Sequence, residues 1–214
     1  MKARLAPGEW MVLTADVVSS RDIPAALLES RMSEISKHLE KQLSSRRPLF
    51  EFYRGDSFQA LVPATEALRI ALLWRAGMKA TGGDYDWDIR IAIGAGGISH
   101  IGKSLASSGG PAFQASGTLL DSMKRNYDSR IAFQTEDKKQ TAALNTECLL
   151  AEAIIGRWTV IGAQTVYSML YFSDTQEALA ARMHVSQPAI HKRLQAANWT
   201  AIRHWEAHYR QTVQ

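Results

Sequence analysis

Two aspartates lie at positions where folding alone does not require an acidic side chain. Asp16 interrupts an apolar run in TADVVSSR, and Asp56 follows a glycine in YRGDSFQALV. Burying an unpaired carboxylate destabilises a protein by several kcal/mol, so a functional role for Asp16 has to be considered. Two converging carboxylates can hold Mg²⁺ or Mn²⁺, which keeps its other positions for water and phosphate oxygens. The alternative is structural: Asp56 would form a turn and Asp16 would cap the following helix.

Two glycine-rich stretches could contact an anion. The first, GAGGISHIG at residues 94–102, lacks the spacing of the Rossmann and P-loop phosphate motifs. In the second, SSGGPAF at residues 107–113, Gly110 leads into a predicted helix whose N-terminal amides could bind an anion. A plain turn is the alternative for both stretches. Together with Asp16 and Asp56, they favour a nucleotide-sized ligand at one edge of the fold.

A second group of candidate residues lies near the C-terminus, in QEALAARMHVSQPAIHKRL at 176–194. Thr175 is a good helix N-cap, and Leu179, Ala180 and Met183 fall on one face of a short helix. The small side chain of Ala180 would let a second helix cross the first closely. A turn over 184–186 then separates the two predicted helices.

The second helix of this pair has a polar, outward face. Ser186 would cap it, and Ile190 and Leu194 would face the core. Its other residues then lie where a recognition helix presents side chains to the major groove. Gln187 could read an adenine edge, while Lys192 and Arg193 could contact phosphates. The predicted DNA-contacting residues are Ser186, Gln187, Pro188, His191, Lys192 and Arg193.

Residues 175–197 resemble the repressor-type helix-turn-helix family. In the predicted turn, Val185 would fill the angle between the helices. The stretch departs from the family at His184, where a glycine usually adopts the left-handed conformation, which histidine tolerates at some energetic cost. The resemblance implies binding to double-stranded DNA. The alternative is a helical hairpin that only packs against the rest of the protein.

Length and composition limit the possible classes of protein. The 214 residues, 46% of them hydrophobic, suffice for one large or two small domains. A net charge of +4 and a pI near 9.3 permit nucleic-acid binding without arguing for it. The single Cys148 excludes an internal disulfide, and its apolar surroundings predict a buried thiol. Because the sequence has neither a membrane-length apolar run nor a secretory signal, we expect a cytoplasmic protein.

The elements that must position these residues follow from the hydrophobic pattern. Up to about residue 135, strands alternate with helices. Their order, with two strand–helix–strand halves, predicts an α+β, ferredoxin-like sheet with helices on one face. In such a sheet the first strand lies beside the central hairpin, so Asp16 and Asp56 would converge at one edge. The pattern predicts strands over 10–18, 88–94 and 130–135, a hairpin over 50–62, and helices over 23–44, 64–80 and 111–123.

Beyond about residue 145 the pattern is helical throughout. The polar segment 136–145 is the predicted boundary between two domains, over 1–140 and 141–214. The second domain is predicted to be an all-α bundle with its helix-turn-helix at 175–197. One or two helices over 146–171, with a break at Gly156 or Gly162, precede that motif, and a last helix or wing follows it.

Three short motifs carry a further resemblance, over residues 10–135. They are DVVSSR at 16–21, GDSFQ at 55–59 and GPAF at 110–113, with the strand IRIAIGAGGIS before the last. These stretches resemble the catalytic domain of class III nucleotidyl cyclases and their palm-domain relatives. They are closer still to the SatD family, which also tends to end in a helix-turn-helix. The resemblance implies a cyclase-like domain followed by a DNA-binding domain.

The sequence departs from the cyclase pattern at positions that matter for catalysis. Gln114 and Thr118 stand where cyclases have the Asn and Arg that hold the transferring phosphates. Phe52 stands where adenine-specific cyclases have a base-reading Lys. Charge on a phosphoryl group needs donors aimed at it, so losing that arginine argues against cyclase activity. Arg21 or Lys103 could supply phosphate contacts instead, so the predicted phosphate- or nucleotide-binding residues are Arg21, Lys103 and Gly110.

These observations favour a two-domain DNA-binding protein that acts as a transcriptional regulator. Its first domain would sense a nucleotide or a metal, with Asp16 and Asp56 as ligands of Mg²⁺ or Mn²⁺. DNA readers of this type usually work as dimers, and the helices over 146–171 are the expected seam, although palm-like domains also pair face to face. One alternative is a divalent-metal-dependent nucleotidyl-transfer or phosphohydrolase enzyme that its helix-turn-helix recruits. Another is an interaction module in which both aspartates are structural.

Overall fold

A computed structural model describes residues 9–42, 49–53, 55–126 and 128–213 of the chain. The predicted alternation of strands and helices in the first part is confirmed, and the architecture is a mixed α+β fold. The predicted helix over 23–44 is seen over Ala25–Gln42, and residues 43 and 44 lie outside the described residues. The strands are β1 Trp10–Val17, β2 Leu49–Tyr53, β3 Ser57–Pro63, β4 Ile89–Ala95 and β5 Ile131–Gln134; the helices between them are α1 Ala25–Gln42, α2 Ala67–Lys79 and α3 Pro111–Asn126.

The five strands form one sheet in the order β2-β3-β1-β4-β5. All neighbours are antiparallel except β4 and β5, which run parallel. The central strand β1 pairs Asp16 with Ser57 of β3 on one side and with Arg90 of β4 on the other. This register brings the end of β1, the β2–β3 turn and the beginning of β4 to the same edge of the sheet.

Helices cover both faces of the sheet, so the prediction of helices on one face is wrong. Helices α1 and α2 cover the face to which Leu13 and Ala15 of β1 contribute. Helix α3 covers the opposite face, where Val12 of β1 and Ala92 of β4 are buried. The physical reason is that β1 and β4 carry apolar residues on both sides, and those on the α3 side, such as Val12 and Ala92, would otherwise remain in water.

Five further helices complete the chain: α4 Lys138–Ile155, α5 Val160–Phe172, α6 Gln176–Arg182, α7 Gln187–Ala196 and α8 Trp199–Thr212. Helix α4 begins inside the predicted boundary segment 136–145, so most of this segment is helical. Asp137 caps α4 by accepting a hydrogen bond from Lys139 N at 2.8 Å. The segment is polar because the first turns of α4 are mostly exposed, and the helix ends at Gly156, one of the two predicted break points.

The C-terminal helices share a core with the sheet. Leu144 and Cys148 of α4 and Tyr209 of α8 are buried in the same cluster as Leu13 of β1. Tyr209 donates a hydrogen bond to Ala64 O at 2.8 Å. Cys148 is a free, buried thiol, and burial raises its pKa above the usual value. The division of the chain at residue 140 stays a prediction, with this cluster extending across it.

Helix α4 also covers the lateral edge of the sheet that β5 forms. Asn145 accepts a hydrogen bond from Phe133 N at 2.8 Å and donates one to Phe133 O at 2.9 Å. These bonds satisfy backbone groups of β5 that would otherwise be open to pairing with another strand. None of the helices in the described ranges is long and apolar enough to cross a membrane.

Candidate functional site

The backbone brings the two predicted acidic residues to the same edge of the sheet. Asp16 is the last residue of β1 that pairs with β3, and Asp56 lies in the turn between β2 and β3. Val17 N donates a hydrogen bond to Asp56 O at 2.9 Å, which ties the turn to β1. The positions are therefore neighbours, as the antiparallel pairing requires.

The Asp16 carboxylate is already engaged by two cationic side chains. Arg90 donates from Nε to Oδ1 at 2.9 Å and from Nη2 to Oδ2 at 3.2 Å. Lys124 of α3 approaches Oδ2 at 3.3 Å. Because Asp16 is buried, these partners compensate a charge that would otherwise be costly. Asp56 has neutral partners, since Ser20 donates to its Oδ2 at 2.8 Å and Ser57 to its Oδ1 at 3.1 Å.

This arrangement does not fit a divalent cation. Arg90 and Lys124 would lie beside any metal bound to Asp16 and would repel it. Within the described ranges, no group of three His, Cys, Asp or Glu side chains could hold a metal ion. The predicted Mg²⁺ or Mn²⁺ site at Asp16 and Asp56 stays a prediction, and the ion pairs of Asp16 argue against it.

The predicted phosphate-contacting residues are not all brought together. Arg21 is exposed in a short 3₁₀ turn at 20–22, next to Ser20, the partner of Asp56. Gly110 precedes the first turn of α3, whereas Lys124, near the end of α3, contacts Asp16. Between residues 110 and 124 the helix rises about 20 Å, so Gly110 lies far from Asp16.

Both Gly110 and Lys103 belong to the connection between β4 and α3. Lys103 is exposed. Gly110 has φ +144°, and a Cβ there would come within 2.6 Å of Ser99 N. The glycine therefore permits close packing of the loop, which is the structural alternative considered for this stretch.

Helices α6 and α7 form a two-helix unit with its own small core. Leu179 and Ala180 of α6 and Ile190 and Leu194 of α7 are buried against each other, as their spacing predicts. Val185 packs against this cluster from the turn. The Val185 N–H also donates to Ala180 O at 3.0 Å, so the turn is fixed by packing and by a backbone bond.

Each helix of the unit has the cap that the sequence predicts. Thr175 accepts a hydrogen bond from Ala178 N, and Ser186 accepts one from Ala189 N. Pro188 lies in the first turn of α7, where its missing N–H does no harm. His184 has φ +53°, the left-handed conformation predicted for this position in the turn.

The predicted DNA-contacting residues are the N-cap of α7 and residues along this helix. Ser186, Pro188, His191 and Lys192 are exposed, and Gln187 and Arg193 are half-buried. The Gln187 side-chain amide donates to the Gln176 Oε1 at 3.2 Å, which joins the beginnings of α6 and α7.

The two-helix unit is attached to the rest of the molecule on both sides. Met169 of α5 packs into its core. Behind α7, Trp158 donates from Nε1 to Ala197 O at 2.9 Å, and Ala197 belongs to the main core. The exposed face of α7 is thus carried on a fixed support.

Nearly the whole described chain matches one protein family. The sequence profile of the SatD family matches residues 10–204, from β1 into α8. The chain belongs to the SatD family. The matched range includes Asp16, Asp56 and the α6–α7 unit, so these features lie inside the family region.

No curated protein matches this SatD-family chain. Among solved structures, a bacterial light-regulated adenylyl cyclase is similar to it, with 16% sequence identity and a TM-score of 0.42. The alignment covers 71% of this chain and 81% of the cyclase chain. At that score the likeness carries no argument about mechanism.

Sequence reasoning missed the cationic partners of Asp16 in the SatD-family chain. Arg90 sits in β4 between Ile89 and Ile91, two residues that are fully buried. A charged residue in such a strand needs a partner on its own face of the sheet. The alternation of Arg90 with buried isoleucines is the sequence feature that could have predicted this partner. Lys124 gave no comparable signal because it lies on a polar stretch of α3.

A buried ionic network was missed as well. Arg75 of α2 is almost fully buried and is bidentate to Asp88, with Nε to Oδ1 at 2.9 Å and Nη2 to Oδ2 at 3.0 Å. It also donates to both carboxylate oxygens of Glu152 in α4, at 2.5 and 2.6 Å. The signal was an arginine in the apolar helical run ALRIALLWRAGMK. The network ties α2, the beginning of β4 and α4 together.

Proposed function

We propose that this SatD-family chain is a DNA-binding protein that acts as a transcriptional regulator, with α6 and α7 as a helix-turn-helix. The observation that carries the proposal is the exposed polar face of α7, with Pro188, His191 and Lys192 toward solvent and Ile190 and Leu194 buried. A capped helix of this kind can lie in a major groove and present side chains to base edges.

The charges of α7 support binding to phosphates. Lys192 and Arg193 have no ion pair with any residue in the described ranges, so their charges are available to a partner. Arg182 of α6 differs, because Asp174 binds it at 3.0 Å and the Phe172 ring lies 3.7 Å from its guanidinium carbon. We therefore assign phosphate contacts to Lys192 and Arg193 and base reading to Gln187.

We further propose that the sheet and its helices form a ferredoxin-like, cyclase-related domain that senses a small ligand such as a nucleotide. The order β2-β3-β1-β4, with α1 and α2 on one face, supports the ferredoxin-like description. The alternative of a metal-dependent phosphoryl-transfer enzyme has less support, because Arg90 and Lys124 already occupy the Asp16 carboxylate.

We also propose that the protein binds DNA as a homodimer through α4 and α5. Leu149 and Leu150 of α4 and Ile161 of α5 are large apolar side chains exposed by 51%, 68% and 51%. Large apolar side chains exposed to this extent are typical of an interface. A dimer of this kind would have to present two copies of α7 to half-sites one helical turn apart, ~34 Å.

The direct test is the salt dependence of duplex binding by the full chain. In fluorescence anisotropy, Lys192→Ala should weaken binding to every sequence and flatten the slope of log affinity against log salt by about one. Lys139→Ala, which removes an exposed lysine from α4, is the matched control and should leave affinity and slope unchanged. Wild-type protein that does not bind duplex DNA at low salt would overturn the proposal.

A further inference from the structure

A pocket of about 410 Å³ lies away from both sites already described, between α1, the end of α2 and α5. Its walls carry Leu27, Arg31 and His38 from α1 and Gln164 and Tyr167 from α5. A concave site with a few converging polar groups is the usual form of a small-ligand site.

The pocket walls are fixed by hydrogen bonds to the last turn of α2. Arg31 donates from Nη2 to Gly77 O at 2.6 Å, and Gln164 donates from Nε2 to Ala80 O at 3.1 Å. Gly77 lets the walls approach, because a Cβ there would lie only 3.1 Å from the Tyr167 ring. Across the pocket, His38 Nδ1 and Tyr167 Oη are hydrogen-bonded at 3.1 Å. The pocket is therefore already formed before a ligand arrives.

One wall carries two opposite charges side by side. Arg31 Nη1 donates to Glu34 Oε2 at 2.8 Å, and Glu34 is 54% exposed. The hydrogen bond from Arg31 to Gly77 O caps the end of α2. It uses one N–H of the guanidinium in addition to the one that Glu34 accepts. The Arg31 Nε is buried and has no acceptor in the described part of the chain. Arg31 thus has capacity for another acceptor, and Glu34 has an oxygen available for a donor.

The rest of the lining combines apolar and aromatic surface with polar groups, among them Gln164 and the hydroxyls of Ser30, Thr81 and Ser168. Leu27 is 45% exposed, and the Tyr167 ring stacks on Tyr171 with centroids 5.9 Å apart. Burial raises the pKa of Tyr167 to about 12, so its hydroxyl stays neutral at physiological pH, although Arg31 opposes the shift. A ligand that bridged the two charges would cover this apolar surface with its remaining atoms.

We propose that the pocket binds a zwitterionic α-amino acid with an apolar or aromatic side chain. Its carboxylate would accept from Arg31, its ammonium group would donate to Glu34, and its side chain would cover Leu27 and the Tyr167 ring. Charge-assisted hydrogen bonds at both ends would select a molecule that carries both charges.

The pocket has a physical connection to the proposed DNA-binding unit. Helix α5 supplies Gln164 and Tyr167 to the pocket, and Met169 of the same helix packs into the core of α6 and α7. A ligand held against α5 is therefore placed to act on the orientation of α7. This regulatory role rests on the proposed DNA binding, whereas ligand binding itself does not.

The test is calorimetric titration of the full chain, after a thermal-shift screen of the twenty standard L-amino acids. Taking L-phenylalanine as the probe, we expect binding, with phenethylamine and 3-phenylpropanoate at least tenfold weaker because each lacks one charge. Glu34→Gln should weaken L-phenylalanine binding about tenfold. Glu40→Gln, an exposed glutamate on the same helix outside the pocket, should bind like the wild type.

Three results would overturn the assignment. The first is no stabilisation by any amino acid, and the second is binding of either analogue as tightly as L-phenylalanine. The third is an equal loss of L-phenylalanine binding in Glu34→Gln and Glu40→Gln. Duplex binding without any amino acid is measured separately by anisotropy. A failure of amino-acid binding can therefore be distinguished from a failure of DNA binding.

Discussion

At the scale of single residues, Asp16 is a buried carboxylate that the sequence marks as a candidate metal ligand and that the fold pairs with two cationic side chains. Because Asp16 lies near the end of an apolar strand, its negative charge requires a partner that compensates for burial. The compensation comes from Arg90 and Lys124, whose side chains approach it from β4 and α3. The sequence indicates that Asp16 needs a partner. Its partners lie 74 and 108 residues away along the chain, and only the tertiary fold brings them to it.

The role of Asp16 can be tested by removing its charge. We expect Asp16→Asn to reduce the free energy of unfolding by about 2 kcal/mol, because two cations would lose their common partner; the partial exposure of Lys124 moderates the effect. Chemical denaturation measures this difference. The control Asp121→Asn removes a carboxylate that is 73% exposed and 4.0 Å from the same lysine, and should change stability by less than about 0.5 kcal/mol. Equal effects of the two substitutions would contradict this account.

Asp88 gives a prediction of pH dependence at the same scale. Burial alone would raise its pKa, but Arg75 and Lys79 outweigh that effect and hold the pKa below the usual value. A carboxyl whose pKa is lower in the folded protein stabilises it above about pH 4 and loses that contribution as pH falls through the folded value. We expect Asp88→Asn to lower stability by about 3 kcal/mol at pH 7 and by less at pH 3.

The matched control for Asp88 is Asp86→Asn, which removes an exposed carboxylate two residues away. Denaturation curves at the two pH values give the comparison. A deficit in Asp88→Asn that is as large at pH 3 as at pH 7 would show that its ionic contacts with Arg75 are not the source of the stabilisation.

At the scale of elements, the packing of α3 on the sheet depends on a glycine in β4. A Cβ at Gly94 would collide with backbone atoms of Ala112 and Ser116 in α3. We expect Gly94→Ala to destabilise the protein by about 3 kcal/mol, because helix and strand would have to separate. Gly117→Ala, within α3 itself, meets no atom within 4 Å and should stabilise the protein by up to about 1 kcal/mol. Thermal unfolding of both variants measures the contrast, and a stable Gly94→Ala would contradict this packing.

The elements themselves were mostly predictable, since periodicity depends on neighbours in the chain. The strands β1, β4 and β5 and the two-helix unit α6–α7 lie close to their predicted bounds. The start of α4 was not predictable in this way, because Lys138 and Lys139 in its first turn read as a polar linker. The sequence also could not predict which face of the sheet α3 covers, because β1 has apolar residues on both faces.

At the scale of the whole molecule, the C-terminal helices are part of the support on which α7 is presented. The Arg75–Asp88–Glu152 network joins α4 to α2 and to the beginning of β4, and Tyr209 of α8 reaches Ala64 beside the sheet. This sharing of a core could not be inferred from the sequence, where a polar segment separates the two halves.

The proposed dimer belongs to this scale too. We expect Leu150→Glu to convert the protein from dimer to monomer in sedimentation velocity, because a charge would replace the most exposed apolar side chain of α4. Affinity for a duplex with two half-sites should then fall by about 100-fold, since the second contact would no longer be intramolecular. Ile101→Glu, at an exposed apolar residue of the β4–α3 loop, should change neither property. A dimeric Leu150→Glu would exclude this seam.

The central claim is that α7 reads DNA sequence, and selection from a random duplex library with the full chain tests it most directly. We predict enrichment of a motif with two symmetric half-sites, whose preference at one base pair in each half-site is relaxed in Gln187→Ala. A library that shows no enrichment with the wild type, or the same motif at unchanged strength with Gln187→Ala, would contradict the reading of bases by this helix.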